Sequence, residues 1–448
     1  MTRVALPKPI DQIVHAIATA GGRALIVGGW VRDHLLKIES KDLDFEVFNL
    51  ELDRLEGVLK KFGRVQRVGK QFGVLRVEGL DVDFSLPRRD NKVGSGHRGF
   101  EVETDPTMSF EDAALRRDLT INSMGFDPVT GEILDPHGGK ADLRDKTLRA
   151  TSVKHFSEDP LRGLRAIQFA ARLKMHASPQ LIELCSALDL SELPKERFRT
   201  EFDKWFCRGL EPSTGLSLLF AAGLERHFPG LASLKQHSAL DLGKRLDAIA
   251  QSTGLRDLER IALSLATMAL FFERTSTATM TDMNPESGNR WHPSQRNTSA
   301  GAAHLHFLNH IGQPIKAQEQ SMRWLHTLEW LEDEPPSEVS DGEIRRLATY
   351  LQVASIPLSH WLIGVEASTK IPKQWCEDIR TRSAQLGCLD EAQPDVVQGR
   401  DLIRRGLKPG PKFASILQAC RRLQDDEGLD DADTLIDRVL LAKGQETL

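Results

Sequence analysis

The chain is poor in cysteine, in long apolar runs and in net charge, and each shortage removes a class of protein. Five cysteines stand far apart, at Cys185, Cys207, Cys376, Cys388 and Cys420. No CxxC pair occurs, which argues against a zinc ribbon. An odd, widely spaced set fits a reducing cytoplasm better than a secreted disulfide scaffold. The longest apolar stretch, Ile261 to Phe272, is too short to span a bilayer, and no membrane association is expected. The N-terminal segment is broken by Pro, Asp and His and lacks the apolar core of a signal peptide. A net charge of −5 excludes a uniformly basic nucleic-acid binder, so any such site must be a local patch.

What is present fits a globular protein. The 448 residues are 40% hydrophobic and 27% charged, which excludes a wholly disordered or collagen-like chain. At roughly 150 residues per domain the length suggests about three domains.

The first third reads as mixed α/β. Short β-rich runs at 24–27, 44–48, 73–77 and 81–86 lie between Gly and Asp turns, with a helical stretch from Leu50 to Lys61. From Ser157 onward the pattern is almost wholly helical. Ser157 can cap a helix whose first turn holds Glu158, Asp159 and Pro160. Further helical runs are expected near 178–188, 194–208, 212–223, 238–252 and 256–273. The stretch from Thr275 to Ala300 reads as a polar loop or linker, and Glu332 to Glu343 as a second polar break.

Several clusters can carry chemistry. In GGWVRD, Gly28 to Asp33, a strand ends in two glycines before a short helix; backbone N–H groups at such a turn can cradle phosphate, and Arg32 adds a charged donor. An ordinary strand–turn–helix with a surface Arg gives the same pattern. Asp42 and Asp44 are two apart, so on a strand both carboxylates face one side and repel unless a divalent cation sits between them. Hard Mg²⁺ with phosphate oxygens suits such a pair, though solvated strand-end aspartates look alike. Asp81 and Asp83 repeat the spacing, and Asp83 can be a third carboxylate at the site or structural. The loop after Leu86 holds Arg88, Arg89, Lys92, His97 and Arg98, which suits a polyanionic substrate as well as plain solvent. In RRDLTINSM, Arg116 and Arg117 can neutralise phosphates. Asp118 and Asn122 would share a helix face and could bind a ribose hydroxyl. In SEDPLRGLR, Glu158, Asp159, Arg162 and Arg165 fall within one helical arc, with Leu164, Ile167 and Ala171 opposite. Asp159 and Arg162 could read the donor/acceptor edge of a base, or simply form an ion pair along the helix.

Taken in order, GGWVRD, DLDFEVF, RRDLTINSM and EDPLRGLR resemble the class II tRNA nucleotidyltransferase (CCA-adding enzyme) and bacterial poly(A) polymerase family. The resemblance covers about residues 20–210 and returns near the C-terminus in GRDLIRRGLKPGPKF. It implies an α+β protein: a polymerase-β-like nucleotidyltransferase head at 1–150, then an all-α neck at 151–210, body at 211–330 and RNA-binding tail at 331–448. Within the family pattern Asp42 and Asp44 match the metal-binding, catalytic DxD. Gly28, Gly29, Arg32 and Asp33 match the phosphate-binding turn, and Arg117, Asp118 and Asn122 the ribose motif. Glu158, Asp159 and Arg162 match the EDxxR motif, whose Asp and Arg select ATP or CTP; Arg165 joins the nucleotide-binding set. Glu196, Arg197 and Glu201 match a neck motif that supports the EDxxR helix.

The implied reaction is Mg²⁺-dependent, template-independent attack of an RNA 3′-hydroxyl on the NTP α-phosphate, with ATP, CTP and a tRNA or other RNA end as partners. Completion of a tRNA CCA end leads, poly(A) addition is the alternative within the family, and a non-catalytic RNA-binding protein is the alternative outside it. No His-Asp dipeptide occurs, and LSLATMALFF near Leu263 is apolar where some relatives carry an HD phosphohydrolase site, so no such metal site is expected. His292, His304, His306 and His310 read as surface histidines.

Overall fold

The computed structural model describes residues 6–40, 43–68, 73–92, 100–234, 236–272, 299–333 and 338–445. It divides into two compact units, Met1–His227 and Phe228–Leu448.

The first unit is built on a seven-stranded mixed sheet. Its strands are β1 (Arg23–Val27), β2 (Leu43–Phe48), β3 (Val65–Val68), β4 (Val74–Val77), β5 (Val82–Ser85), β8 (Gly125–Asp127) and β9 (Glu132–Leu134), in the order β3-β4-β5-β2-β1-β8-β9. Between β5 and β8, β6 (Arg88–Lys92) and β7 (Phe100–Thr104) form a separate antiparallel hairpin. The basic stretch expected as a loop is therefore paired strand at 88–92, while 93–99, with His97 and Arg98, lies outside the described residues. β1 is central and nearly all buried, and its run Ala24–Val27 is accordingly continuously apolar. β2 pairs with β5 in parallel, and the register sets Asp44 beside Asp83.

Helices α1 (Lys8–Thr19), α2 (Gly29–Leu35), α3 (Leu52–Leu59), α4 (Phe110–Ala114) and α5 (Gly139–Arg144) belong to this part of the unit. On α1 the buried residues Ile10, Ile13, Val14 and Ile17 follow the helical period and form its core face. α6 (Val153–Phe156), α7 (Leu161–Leu173), α8 (Pro179–Ser186), α9 (Lys195–Arg208) and α10 (Pro212–Ala221) follow. A two-residue parallel pair, Thr147–Leu148 with His176–Ala177, interrupts the expected all-helical stretch.

Ser157 does not cap the EDxxR helix. It closes the short α6, whose cap is Ser152, and α7 begins only at Leu161. Glu158 and Asp159 thus precede the helix, and the Asp159 carboxylate accepts from the Leu161 N–H at 3.1 Å. Leu164, Ile167 and Ala171 are buried, as the helical period requires.

The second unit is helical throughout its described part: α11 (Gln236–Gln251), α12 (Asp257–Ala269), α13 (Ser299–His310), α14 (Ile315–Asp333), α15 (Asp341–Gln352), α16 (Leu358–Ser368), α17 (Lys373–Gln385), α18 (Gly399–Arg404), α19 (Pro411–Glu427) and α20 (Ala432–Gln445). Most of the Thr275–Ala300 stretch lies outside the described residues, and its last two positions already belong to α13. The apolar segment around Leu263 is the buried face of α12. No described helix is long and apolar enough to cross a membrane.

His304 is a core residue, not a surface one. Its imidazole Nε2 lies 2.8 Å from the Ser321 hydroxyl, which itself donates to the Ala262 carbonyl at 2.8 Å. The polar stretch at 275–300 just before it hid this in the sequence. His306 is exposed, His310 packs edge-on to Phe228 at 5.9 Å, and His292 lies outside the described residues.

Burial, with the His326 charge adding to it, pushes the His304 imidazole down to about 3 from 6.5. The unfolded chain then takes up a proton that the folded one refuses, so stability falls as pH drops from 6.5 towards 3. The expected loss between pH 7 and pH 4.5 is roughly 2–3 kcal/mol. His304→Leu leaves the Ser321 donor satisfied and should remove this part of the acid sensitivity, read as urea midpoints at the two pH values. A variant with the wild-type pH slope would refute it.

Candidate nucleotide-binding cleft

A cleft of about 710 Å³ opens in the first unit. Ten of the sequence-assigned residues line it: Gly28, Gly29, Arg32, Asp33, Asp44, Arg117, Asp118, Asn122, Asp159 and Arg162. Arg165 lines it too, whereas Asp42 lies outside the described residues.

The turn between β1 and α2 brings the first group. Gly28 has φ +77°, a conformation that favours glycine, and a Cβ there would meet the Arg117 guanidinium at 3.1 Å. Arg32 and Asp33 line the cleft while engaged with each other and with their neighbours. The Arg32 guanidinium donates to Asp33 at 2.8 Å and to the Asn122 side-chain carbonyl at 2.6 Å. Asp33 accepts again from Arg172 at 3.5 Å. Burial lowers the Arg32 pKa, and Asp33 opposes that shift.

Asp118 and Asn122 do not sit together on an α-helix; Asp118 precedes a 3₁₀ turn, Thr120–Asn122. They nevertheless meet, because the Asn122 amide donates to Asp118 at 3.0 Å. Asp118 also accepts from the Leu119 N–H at 2.8 Å and from Arg165 at 2.7 Å. Burial alone would raise its carboxyl, but Arg165 and the Asn122 and Leu119 hydrogen bonds outweigh it and hold the pKa below the ordinary value. Burial opposes, and the Asp118 ion pair more than restores, the charge on Arg165. Arg165 and Arg32 both lie against the Phe169 ring, at 5.5 and 5.1 Å from its centre.

Asp159 and Arg162 are held from behind. Asp159 accepts from the Leu161 N–H through one oxygen and from Arg197 at 2.9 Å through the other. Arg162 donates to the His155 carbonyl at 2.8 Å and the Arg116 carbonyl at 2.5 Å. A guanidinium carries five N–H donors, so three remain for a ligand. Of the neck motif, Arg197 supports Asp159 directly, and buried Glu201 pairs with Lys204 at 2.9 Å. Glu196 is exposed. Glu158 turns to the His155 ring at 3.0 Å and does not line the cleft.

Asp44 is exposed on the cleft wall, with half-buried Leu43 before it and buried Phe45 after it on β2. Its lateral neighbour Asp83 is taken by Arg76 through two hydrogen bonds, at 2.7 and 2.9 Å. No cluster of three metal-ligating side chains occurs among the described residues. The donor set of Asp44, with Asp42 two positions before it, is hard oxygen and suits Mg²⁺.

The sequence reading missed Trp30, Phe169, Arg172 and Arg208, which also line the cleft. Phe169 and Arg172 extend the three- and four-residue spacing of Arg162 and Arg165, a signal that was legible. Arg208, at the end of α9, carried none.

Residues 24–149 match the family model described as the poly(A) polymerase head domain. The Multifunctional CCA protein of Haemophilus ducreyi is 35% identical over 236 residues, 49% of this chain and 55% of that protein. The Multifunctional CCA protein of Psychromonas ingrahamii is 36% identical over 248 residues, 52% and 59% of the two chains. The match thus spans little more than half the length of these curated relatives. Among solved structures, the Bacillus stearothermophilus CCA-adding enzyme in complex with CTP is similar with TM-score 0.69 and 23% identity, covering 99% of both chains. The Thermotoga maritima CCA-adding enzyme complexed with tRNA gives 0.61 and 18%, covering 98% of this chain and 96% of that one. At these identities the likeness is one of fold: a polymerase-β-like head domain followed by a helical remainder.

Proposed function

We propose that the protein is a template-independent RNA nucleotidyltransferase that completes tRNA 3′ ends with CCA, or part of it, from CTP and ATP. The observation that carries this reading is that Asp159 and Arg162, each pinned by its own partners, share one cleft with Asp44 and with the Arg117, Asp118 and Asn122 set. The relatives named for CCA addition support it over poly(A) synthesis.

Each group has a task. The Gly28 turn and Arg117 hold the triphosphate, and Asp118 with Asn122 orients the ribose. Cytosine and adenine both present an amino donor next to a ring-nitrogen acceptor. The Asp159 carboxylate meets the first and the Arg162 guanidinium the second. Uracil and guanine reverse that order and leave these groups unpaired. Asp42 and Asp44 would hold Mg²⁺, which supplies acidification of the attacking hydroxyl and stabilisation of the leaving oxygens. In this reading the head occupies 1–150, the neck 151–210, the body 211–330 and the tail 331–448. No phosphohydrolase site is included, and the setting is cytoplasmic.

The deciding experiment offers tRNA ending at the discriminator base, at C or at CC, with CTP or ATP, and sizes the products. Stepwise growth that stops at CCA supports the proposal. A long adenylate ladder would make the protein a poly(A) polymerase, and binding without incorporation would leave an RNA-binding protein.

Arg162→Ala should lower the preference for CTP over UTP by about 5–150-fold, the equivalent of roughly 1–3 kcal/mol of base discrimination. The Mg²⁺ concentration for half-maximal rate should stay put. Unchanged kcat/KM ratios among the four nucleotides would reject the base-reading role.

A further inference from the structure

β2 carries a second acidic residue in phase with Asp44. Glu46 follows Asp44 by two positions, so it lies on the same side of the strand, but it is fully buried. Its two oxygens are divided between two arginines. One accepts from Arg116 at 2.7 Å, and the other lies 3.5 Å from a terminal nitrogen of Arg117. The opposite end of the Arg117 guanidinium lies over Gly28, where a Cβ would approach it to 3.1 Å. Its Nε is buried and lacks a hydrogen-bond partner among the described residues. Arg117 therefore reaches into the cleft with donors to spare, while one edge is tied to a carboxylate on the strand that carries Asp44.

Two neighbouring guanidinium groups repel each other, and an uncompensated buried charge is costly. Without Glu46 neither arginine has reason to stay where it is. We infer that Glu46 is a positioning residue: it fixes Arg117 over the Gly28 turn and so sets the strength of triphosphate binding. This role presupposes the nucleotidyltransferase reading above.

The full-length chain is titrated with inorganic tripolyphosphate by calorimetry, and steady-state constants are measured for NTP and tRNA. Glu46→Gln should weaken tripolyphosphate binding about tenfold and raise the KM for NTP by the same factor. The KM for tRNA should change less than about twofold, and kcat at saturating NTP less than about threefold, because the loss is one of binding to a single substrate. Combining it with Arg116→Gln removes the repulsion and should recover part of the affinity. Unchanged tripolyphosphate binding in Glu46→Gln, or a parallel rise of both KM values, overturns the inference. Should the glutamine variant not fold, Arg117→Lys reads the same geometry. A single ammonium cannot meet Glu46 and still span the turn, so it too should lose about tenfold in affinity, and wild-type affinity would refute the role. A wild type that incorporates no nucleotide would instead sink the functional proposal itself.

Discussion

Asp44→Asn should reduce nucleotide incorporation about 10³-fold while leaving the fold intact. Asp44 is exposed on the cleft wall, and β2 is anchored by buried Phe45 and Val47 on its opposite side. The amide keeps the shape of the carboxylate and disturbs no core contact, so stability should move by no more than about 0.5 kcal/mol. Removed is the charge that would bind a hard cation against the triphosphate. Lewis-acid stabilisation in such a site is worth several kcal/mol, and each 1.36 kcal/mol is tenfold in rate, hence roughly three orders of magnitude. Single-turnover incorporation of labelled CMP into a tRNA lacking its last three residues measures this. A variant within tenfold of wild type at saturating Mg²⁺ would remove Asp44 from the reaction.

A second large effect is expected at Asp118, this time on stability. Its carboxylate is buried and serves Arg165, the Asn122 amide and the Leu119 N–H at once. Truncation to Ala leaves a largely buried Arg165 facing a void and should cost about 3–5 kcal/mol. For a unit of this size that corresponds to a melting temperature lower by roughly 6–20 °C. The pH dependence follows from the depressed carboxyl pKa. The stabilisation is complete above the ordinary aspartate range and is lost as pH falls through the lower folded value, so the deficit of the variant should be largest near neutrality and shrink only in strong acid. Arg165→Ala should cost nearly as much, and the double variant less than the sum, because the pair acts as one unit. Additive losses would show that the two residues stabilise the unit independently.

These two residues stand for two kinds of acidic side chain in the cleft. Asp44 and Asp159 face inward from the wall. Asp33, Asp118 and Glu46 are buried and hold arginines that form the wall. A continuous chain of polar contacts runs from Arg172 through Asp33, Arg32 and Asn122 to Asp118 and Arg165. It ties the turn after β1 and the 3₁₀ segment to α7. A one-residue slip in any of these elements would leave a buried charge unpaired, so the network should enforce the cleft's geometry as well as its charge.

Much of this was legible without coordinates. The β-rich runs at 44–48 and 81–86 placed two of the strands, and the helical period placed Leu164, Ile167 and Ala171 in the core. The motif spacing also named most of the residues that line the cleft. The three-residue strands β8 and β9 escaped because so short a run shows too little alternation to count, and β3 escaped because it holds Gln and Arg between its two valines. What tertiary packing alone decided was which polar group faces the cleft and which one holds its neighbour. Arg32 and Asn122 are 90 positions apart, and Arg172 and Asp33 are 139 apart. Local spacing determines the side of a strand or helix on which a residue lies, since that follows from backbone geometry over a few residues. The charge it meets across the cleft, like the burial of His304 among helices distant in the chain, depends on how those elements pack.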